Sequence, residues 1–401
     1  MAKELHADAI IEGSVQRSGD HVRITAQLVR ADTDKHLWAD AYERDFHDIL
    51  AMQDDVASAI AKQVQFRLGG PEPIPVAKSK PISPEAYETY LKANSYADQF
   101  DLQKSIDFYN QAIKLAPDYA PAYAHMAGSY FFQGFFGAMA PQKAWGKVKE
   151  LAQLATAKDD QLPDGHNALA AAKLHYDWDF AGAEREFKRA IELNPSNADT
   201  LHGYAHYLMA MGRMDESAAE SLRAVALDPV DDGLTDCLCW HSYAAHQYDS
   251  SIQLALEVLK RQPDDSWEMV IVGWDYEQKK MNAEAIAQFK KAVDAPQRQH
   301  YVRIPPRRVG PRLRVGGEQE RRASGSADSS CAVEGVLRFA LRHCSGLYRP
   351  LGDKETAFAW LDKAVAERST WLVYSKWEPR LDPLRNDPRF VGLLRRIGLA
   401  Q

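Results

Sequence analysis

One sequence pattern occurs twice in succession in this chain, and this stretch decides the fold. Residues 164–197 read DGHNALAAAKLHYDWDFAGAEREFKRAIELNPSN, and residues 198–231 read ADTLHGYAHYLMAMGRMDESAAESLRAVALDPVD. Each copy has 34 residues, with small and apolar residues three or four apart in each half and a proline near its end. Residues at that spacing share one face of a helix, so each copy predicts two amphipathic helices.

The sizes of the residues at these positions indicate how the two helices meet. Ala171 and Ala183 are small enough to let antiparallel helices approach closely. Phe187 and Tyr207 are large enough to fill the remaining space, and the proline ends the second helix. The spacing large-x2-apolar-small-x2-large, followed by small-x3-large-x2-small, resembles the tetratricopeptide repeat. The resemblance implies a mainly all-α helical solenoid, a superhelix of stacked helix pairs, which is a binding device and not an enzyme.

The same period continues on both sides of this stretch. Repeats begin at about Ala86, the second one carries an insertion at 131–141, and two further copies follow the central pair. Phe187 and Phe289 are predicted to be buried between helices. The predicted organisation is a small α+β domain at 1–68, a proline-rich linker at 69–85, the repeat array at 86–299, an irregular or frameshifted segment at 300–337, and a final helix pair with capping helices at 338–401.

The pattern breaks after the array. From Arg298 to Arg349 there is not one lysine, whereas arginines, glycines and prolines are frequent. One interpretation is a basic disordered insertion that contacts acidic groups. The interpretation we favour is a frameshifted stretch that replaced a normal repeat and returned to frame near Pro350, because clean repeat sequence lies on both sides.

The first 68 residues are of a different kind. Alternating apolar and polar residues predict strands at Ile10–Val15 and Val22–Val29, joined by a turn at 18–20, and a third strand at His36–Arg44. Asp45 is predicted to cap the helix that follows. The domain is therefore expected to be a small α+β domain whose sheet has one face in water.

Four short motifs in this part carry a second resemblance. They are Glu12–Gln16, Val22–Leu28, Leu37–Ala39 and Gln53–Val56, and together they resemble the end of a TolB-amino-terminal-like domain. In bacterial signalling proteins of that family, the domain commonly lies between tetratricopeptide repeats and an upstream output domain. The output can be a winged-helix domain, a nucleotide cyclase or a kinase. The resemblance implies that the chain is amino-terminally truncated relative to the family.

Composition and motifs narrow the class of function. The net charge of −7 and the isoelectric point near 6.0 give no basic surface for nucleic acid. No apolar run is long enough for a membrane helix, and no signal peptide is recognisable. The sequence has no phosphate-binding loop, dinucleotide fingerprint or nucleophile elbow, so neither a catalytic residue nor a cofactor is predicted. A cytoplasmic location is favoured, with the periplasm as the alternative.

A histidine pair is the best candidate for a metal site. His202 and His206 stand four residues apart, on one face of a predicted helix. The sequence places no third ligand beside them, so we predict no metal. The four cysteines are too few and too irregularly spaced for a disulfide framework and are predicted to be small buried thiols.

The predicted binding surface is the groove lined by the first helix of each repeat. Its predicted residues are His202, His206, Met209, Asp236, Trp240, Tyr243, Trp267, Trp274 and Glu277. Aromatic residues near polar groups are typical interface anchors. We therefore expect a peptide or protein partner in the groove, and we expect Trp240 and Trp274 to contribute to binding more than to stability. The opposite arrangement, in which the two tryptophans pack within the protein, stays open.

Two functions from different classes follow. The first is an interaction scaffold or sensor arm of a bacterial regulatory protein. The second is a non-catalytic regulatory fragment of a nucleotide cyclase, kinase or winged-helix regulator, whose output domain lies upstream.

Overall fold

The computed structural model of the chain describes residues 8–45, 49–68, 82–295 and 354–400. The irregular segment predicted at 300–337, most of the predicted linker and the start of the predicted final helix pair lie outside these residues. The chain divides into two compact units, residues 1–92 with 110–119 and residues 93–109 with 120–401.

Three strands precede a long series of helices. The strands are β1 Ala9–Ser18, β2 His21–Arg30 and β3 His36–Asp45. The helices are α1 Ile49–Leu68, α2 Pro84–Asp98, α3 Leu102–Leu115, α4 Ala120–Phe135, α5 Pro141–Lys158, α6 Pro163–Ala172, α7 Phe180–Leu193, α8 Ala198–Ala210, α9 Met214–Leu227, α10 Asp232–Ala244, α11 Tyr248–Arg261, α12 Ser266–Gln278, α13 Asn282–Asp294, α14 Lys354–Ala366 and α15 Pro388–Arg396. None of the described helices is both long and apolar enough to cross a membrane.

Strands occur at the three predicted places, and they form one antiparallel sheet in the order β1-β2-β3. Gly19 adopts a left-handed conformation with φ of 61°, which lets the chain turn within two residues between β1 and β2. Val22 and Leu28 are buried on one face, and α1 packs against this sheet. The predicted cap is wrong: Asp45 is the last residue of β3, because the third strand is one residue longer than its alternation indicated.

The helices α2 to α13 follow one another as short-looped pairs, and the predicted helical solenoid is confirmed. The first helices of three successive pairs begin immediately after Asn197, Asp231 and Asp265. In each case the side chain accepts a hydrogen bond from a backbone N–H of the first turn. Such residues satisfy donors that the helix itself leaves open, so the 34-residue spacing of these caps fixes where each repeat starts.

Small residues lie against large ones where neighbouring helices meet, both within a repeat and between successive repeats. Phe187 and Phe289 are almost fully buried, which confirms the prediction. A Cβ atom at Gly203 would lie 2.9 Å from the Phe187 ring, and one at Gly273 would lie 2.4 Å from the Phe289 ring. Only glycine fits at these two positions, because any larger residue would force the helices apart.

The insertion predicted at 131–141 lengthens helices and does not form a separate loop. α4 continues to Phe135, and α5 begins at Pro141 and runs for 18 residues. Farther along, α6 ends in a π-helical turn at Lys173–Asp177, which accommodates an extra residue within the first helix of its repeat. This turn places His175 in the protein interior.

The last described residues form a second apolar cluster around α14 and α15. Its buried members include Phe358, Leu361, Phe390 and Leu394, and Trp178 and Phe180 pack against it. Between α14 and α15 the chain makes two short 3₁₀ turns, Thr370–Tyr374 and Pro379–Leu384.

Candidate functional site

The nine predicted groove residues lie on three consecutive first helices, α8, α10 and α12. We refer to the surface that they form as the groove. His202 and Glu277 are half-buried, whereas the other seven are buried: His206, Met209, Asp236, Trp240, Tyr243, Trp267 and Trp274. The three groove tryptophans are thus buried within the chain, and the binding of a partner to the groove stays a prediction.

The groove is covered by the protein's own residues 369–385, which we call the C-terminal segment. The Trp371 ring meets the Trp240 ring edge to face, with centroids 5.1 Å apart, and lies 6.0 Å from Trp267. Tyr374 packs on the other side of Trp240, with ring centroids 4.9 Å apart. Aromatic pairs in such geometries contribute beyond the area that they bury, so these rings hold the segment in a defined register.

A buried ion pair in the same segment contacts the next part of the groove. The Arg380 guanidinium donates to both carboxylate oxygens of Glu378, over 2.7 and 3.0 Å, and lies 4.1 Å from the centre of the Trp274 ring. The Tyr243 hydroxyl donates to Glu378 Oε1 over 3.0 Å. Burial alone would raise the pKa of Glu378, but the Arg380 charge and its hydrogen bonds hold that pKa below its usual value. The carboxylate is thus ionised and its charge is compensated.

Hydrogen bonds fix the start and the middle of the C-terminal segment. The Trp145 indole N–H donates to Thr370 Oγ1 over 2.8 Å, and the Trp377 indole N–H donates to the Ala210 carbonyl over 3.1 Å. Trp377 fills the space beside Gly212, where a Cβ atom would approach its ring to 1.9 Å. Gly212 also has φ of 79°, so this position excludes other residues for two reasons.

A buried polar contact recurs behind the groove with the period of the repeats. The Ser217 hydroxyl donates to the Ala205 carbonyl and lies 3.1 Å from His241 Nδ1. In the next repeat, the Ser251 hydroxyl lies 3.0 Å from the Cys239 carbonyl oxygen and 2.7 Å from Asp275 Oδ2. Both serines are thus shared between a carbonyl of their own repeat and a polar side chain of the following repeat.

Asp275, the acceptor in the second of these contacts, is buried, and burial decides its protonation state. Burial, acting against the Ser251 hydrogen bond and the charge of Lys279, raises the pKa of Asp275 to about 7. Because folded Asp275 keeps its proton up to about pH 7, the stability of the fold depends on pH.

We expect Asp275→Asn to gain stability relative to the wild type as pH rises. Between about pH 4 and pH 7, the folded wild-type chain retains a proton that the unfolded chain has lost, so its free energy of unfolding falls. The steepest slope is about 1.4 kcal/mol per pH unit, and the loss levels off above pH 7. Asparagine cannot ionise, so the difference between variant and wild type should grow across this window in urea titrations.

The control for this measurement is Asp215→Asn, because Asp215 is exposed in the first turn of α9 and does not contribute to the pKa of Asp275. It should show no comparable pH-dependent gain. A constant difference between Asp275→Asn and the wild type from pH 4 to pH 8 would contradict the assigned protonation.

Histidine and cysteine side chains meet at one end of the groove. His202 and His206 project from α8 beside Cys237 of α10, and the three candidate ligand atoms all lie within 4.8 Å of one another. The sequence identified the histidine pair but missed Cys237. The position one 34-residue repeat after His202 is Asp236, which is the residue next to Cys237.

Comparison with known proteins agrees with this architecture. The model of the tetratricopeptide repeat family matches residues 90–119. This is a tetratricopeptide-repeat fold. The array thus has the architecture of protein–protein interaction scaffolds.

Two curated bacterial proteins share sequence with this chain. A protein named putative adenylate cyclase 3, from Rhizobium meliloti, is 31% identical over 43% of the chain and 30% of its own length. The transcriptional regulator HilA of Salmonella typhimurium is 24% identical over 44% of the chain and 32% of its own length. The chain therefore matches about a third of each of these relatives.

Among solved structures, a chain of the APC/C hetero-tetramer Cut9–Hcn1 is similar to this one. The alignment covers 61% of this chain and 45% of that chain, with 13% sequence identity and a TM-score of 0.44.

Proposed function

We propose that the chain is a protein-interaction scaffold of a bacterial signalling protein and that its groove binds a peptide segment of a partner. The observation that carries this proposal is the C-terminal segment itself, which is a peptide already seated in the groove. It presents an aromatic pair, Trp371 and Tyr374, followed by Glu378 and Arg380. A partner segment with the same order of aromatic and basic side chains would make the same contacts.

The proposal implies competition within one molecule. A tethered segment acts at an effective concentration of about a millimolar, so it holds the groove until a partner of higher affinity replaces it. The apparent affinity for a partner then rises in proportion to the fraction of open molecules. Weakening the C-terminal segment should therefore strengthen partner binding without any change in the groove.

A fluorescently labelled peptide with the sequence of residues 369–385 tests this competition on the full-length chain. We expect weak binding to the wild type and at least about tenfold tighter binding to the Arg380→Lys chain, measured by fluorescence anisotropy. Lysine keeps the charge but loses the two-pronged contact with Glu378 and the stacking on Trp274, so the internal segment is loosened.

Two controls accompany this experiment. Arg389→Lys changes an exposed arginine of α15 and should bind the peptide as the wild type does. A peptide with Trp371 and Arg380 both replaced by alanine should not bind. If the wild-type peptide binds neither chain, the groove is permanent core and the proposal fails.

The names of the relatives favour the alternative function as well. One is called an adenylate cyclase and the other a transcriptional regulator, and in each the matched part is about a third of the protein. The resemblance of residues 1–68 to a TolB-amino-terminal-like domain agrees with a regulatory arm that follows an output domain. Sequencing the genomic region upstream of the codon for Met1 tests this alternative: an in-frame cyclase, kinase or winged-helix domain supports it, and an unrelated gene opposes it.

A further inference from the structure

The cluster at the end of the groove has the donor set of a transition-metal site. His202 Nε2 lies 2.8 Å from His206 Nε2 and 2.8 Å from Cys237 Sγ, and His206 Nε2 lies 3.5 Å from Cys237 Sγ. The two histidines come from successive turns of α8, and the cysteine comes from α10. Three donors from two repeats thus converge on one point.

The hydrogen bonds behind the cluster determine which nitrogen of His206 is free to bind an ion. The Ser217 hydroxyl donates to the Ala205 carbonyl, so its oxygen accepts the proton on His241 Nδ1. His241 Nε2 is then unprotonated and accepts from His206 Nδ1 over 3.1 Å. Since a neutral imidazole carries one proton, His206 Nε2 presents a lone pair to His202 and Cys237.

This arrangement is the one that metal-binding histidines use. Such a histidine donates its second ring N–H to a fixed acceptor, which orients the ring and makes the ligating nitrogen more basic. His241 supplies that acceptor here, and Ser221 Oγ, 2.8 Å from His241 Nδ1, holds it in turn.

We propose that His202, His206 and Cys237 bind one divalent ion of the zinc class, with a fourth position left open. Nitrogen and thiolate donors favour zinc or cobalt over calcium and magnesium, which require oxygen ligands. Donor atoms around a tetrahedral zinc ion lie about 3.3–3.6 Å apart. The distance from His206 to Cys237 already fits, and His202 needs to move by about half an ångström.

An ion can reach this site from solvent, and its binding needs no change elsewhere in the groove. His202 and Cys237 are both partly exposed, whereas His206 is buried. Cysteine binds such an ion as the thiolate, so Cys237 releases its thiol proton to solvent when the ion binds. The open fourth position can take a water molecule or a side chain of a partner. The site does not depend on the peptide proposed for the groove.

Cobalt titration of the untagged, full-length, chelator-treated protein tests the proposal. We expect one Co²⁺ per chain, a near-ultraviolet thiolate-to-cobalt absorption band, visible bands of tetrahedral intensity, and displacement of the cobalt by one equivalent of Zn²⁺. Zn²⁺ should also raise Tm, because it binds the folded chain. Absence of the thiolate band at a tenfold excess of Co²⁺ would overturn the proposal.

Three variants assign the ligands. Cys237→Ser should lose the charge-transfer band, and His202→Gln should weaken Co²⁺ binding by at least tenfold. Cys239→Ala, which removes the other described thiol of α10, should retain the wild-type spectrum. Circular dichroism of each variant reports folding. If Cys237→Ser unfolds, His202→Gln decides, because His202 is partly exposed; wild-type binding in that variant would refute the site.

Discussion

Replacing Trp240 and Trp274 together by alanine should lower the free energy of unfolding by more than about 5 kcal/mol. The melting temperature of the repeat array should then fall below the physiological range. A buried tryptophan replaced by alanine costs about 3–5 kcal/mol, because the lost contacts leave a cavity. Both rings also contact Trp267, at centroid distances of 6.4 and 5.6 Å, so their effects are not independent. Circular dichroism against temperature measures the result.

The matched control is Trp360→Ala on α14, where the ring is 39% exposed. That variant should melt close to the wild type. If the double variant also did, the C-terminal segment would not cover the groove in solution, and the original expectation of an open binding surface would be restored.

Removing Arg380 should cost about 3–5 kcal/mol, because it leaves the Glu378 carboxylate buried without its charged partner. The side chains of this pair are only 4% and 10% exposed, so water cannot replace the lost contacts. The variant also loses the cation held 4.1 Å above the Trp274 ring. Urea unfolding of Arg380→Ala measures the change.

A double-mutant cycle separates the cost of an unpaired buried charge from the cost of the other contacts that are lost. Glu378→Gln combined with Arg380→Met should cost less than the sum of the two single changes, because no buried charge is left alone. Arg396→Ala should stay close to the wild type, since Arg396 and its partner Asp362 are both exposed. Equal costs for Arg380→Ala and Arg396→Ala would show that the Glu378–Arg380 pair is solvated.

The helical array could be predicted because its information is local. Ala183 and Phe187 stand four residues apart, so their sizes and spacing imply the helix contact directly. Capping residues such as Asp265 are local too, because each bonds to N–H groups two or three residues away. The length of β3 was underestimated at Asp45, since a polar end of a strand and a helix cap have the same residue preferences.

The state of the groove could not be predicted, because its contacts join distant parts of the chain. Trp371 and Trp240 meet across 131 residues, and no periodic pattern connects them. The groove positions themselves were identified from the repeat register, but register does not reveal what covers them. Cys237 was missed for a related reason: metal-ligand spacing was sought within one helix, whereas the third donor comes from the next repeat.

The order of the groove and its occupant along the chain has a consequence during synthesis. A ribosome adds about 5–20 residues per second, so Arg380 follows Trp274 by about 5–20 s. During that interval, Trp240, Trp267 and Trp274 have emerged without the residues that bury them. The nascent chain therefore passes through a stage with a bare aromatic surface, to which an Hsp70-type chaperone or a second nascent chain has access before residues 369–385 arrive.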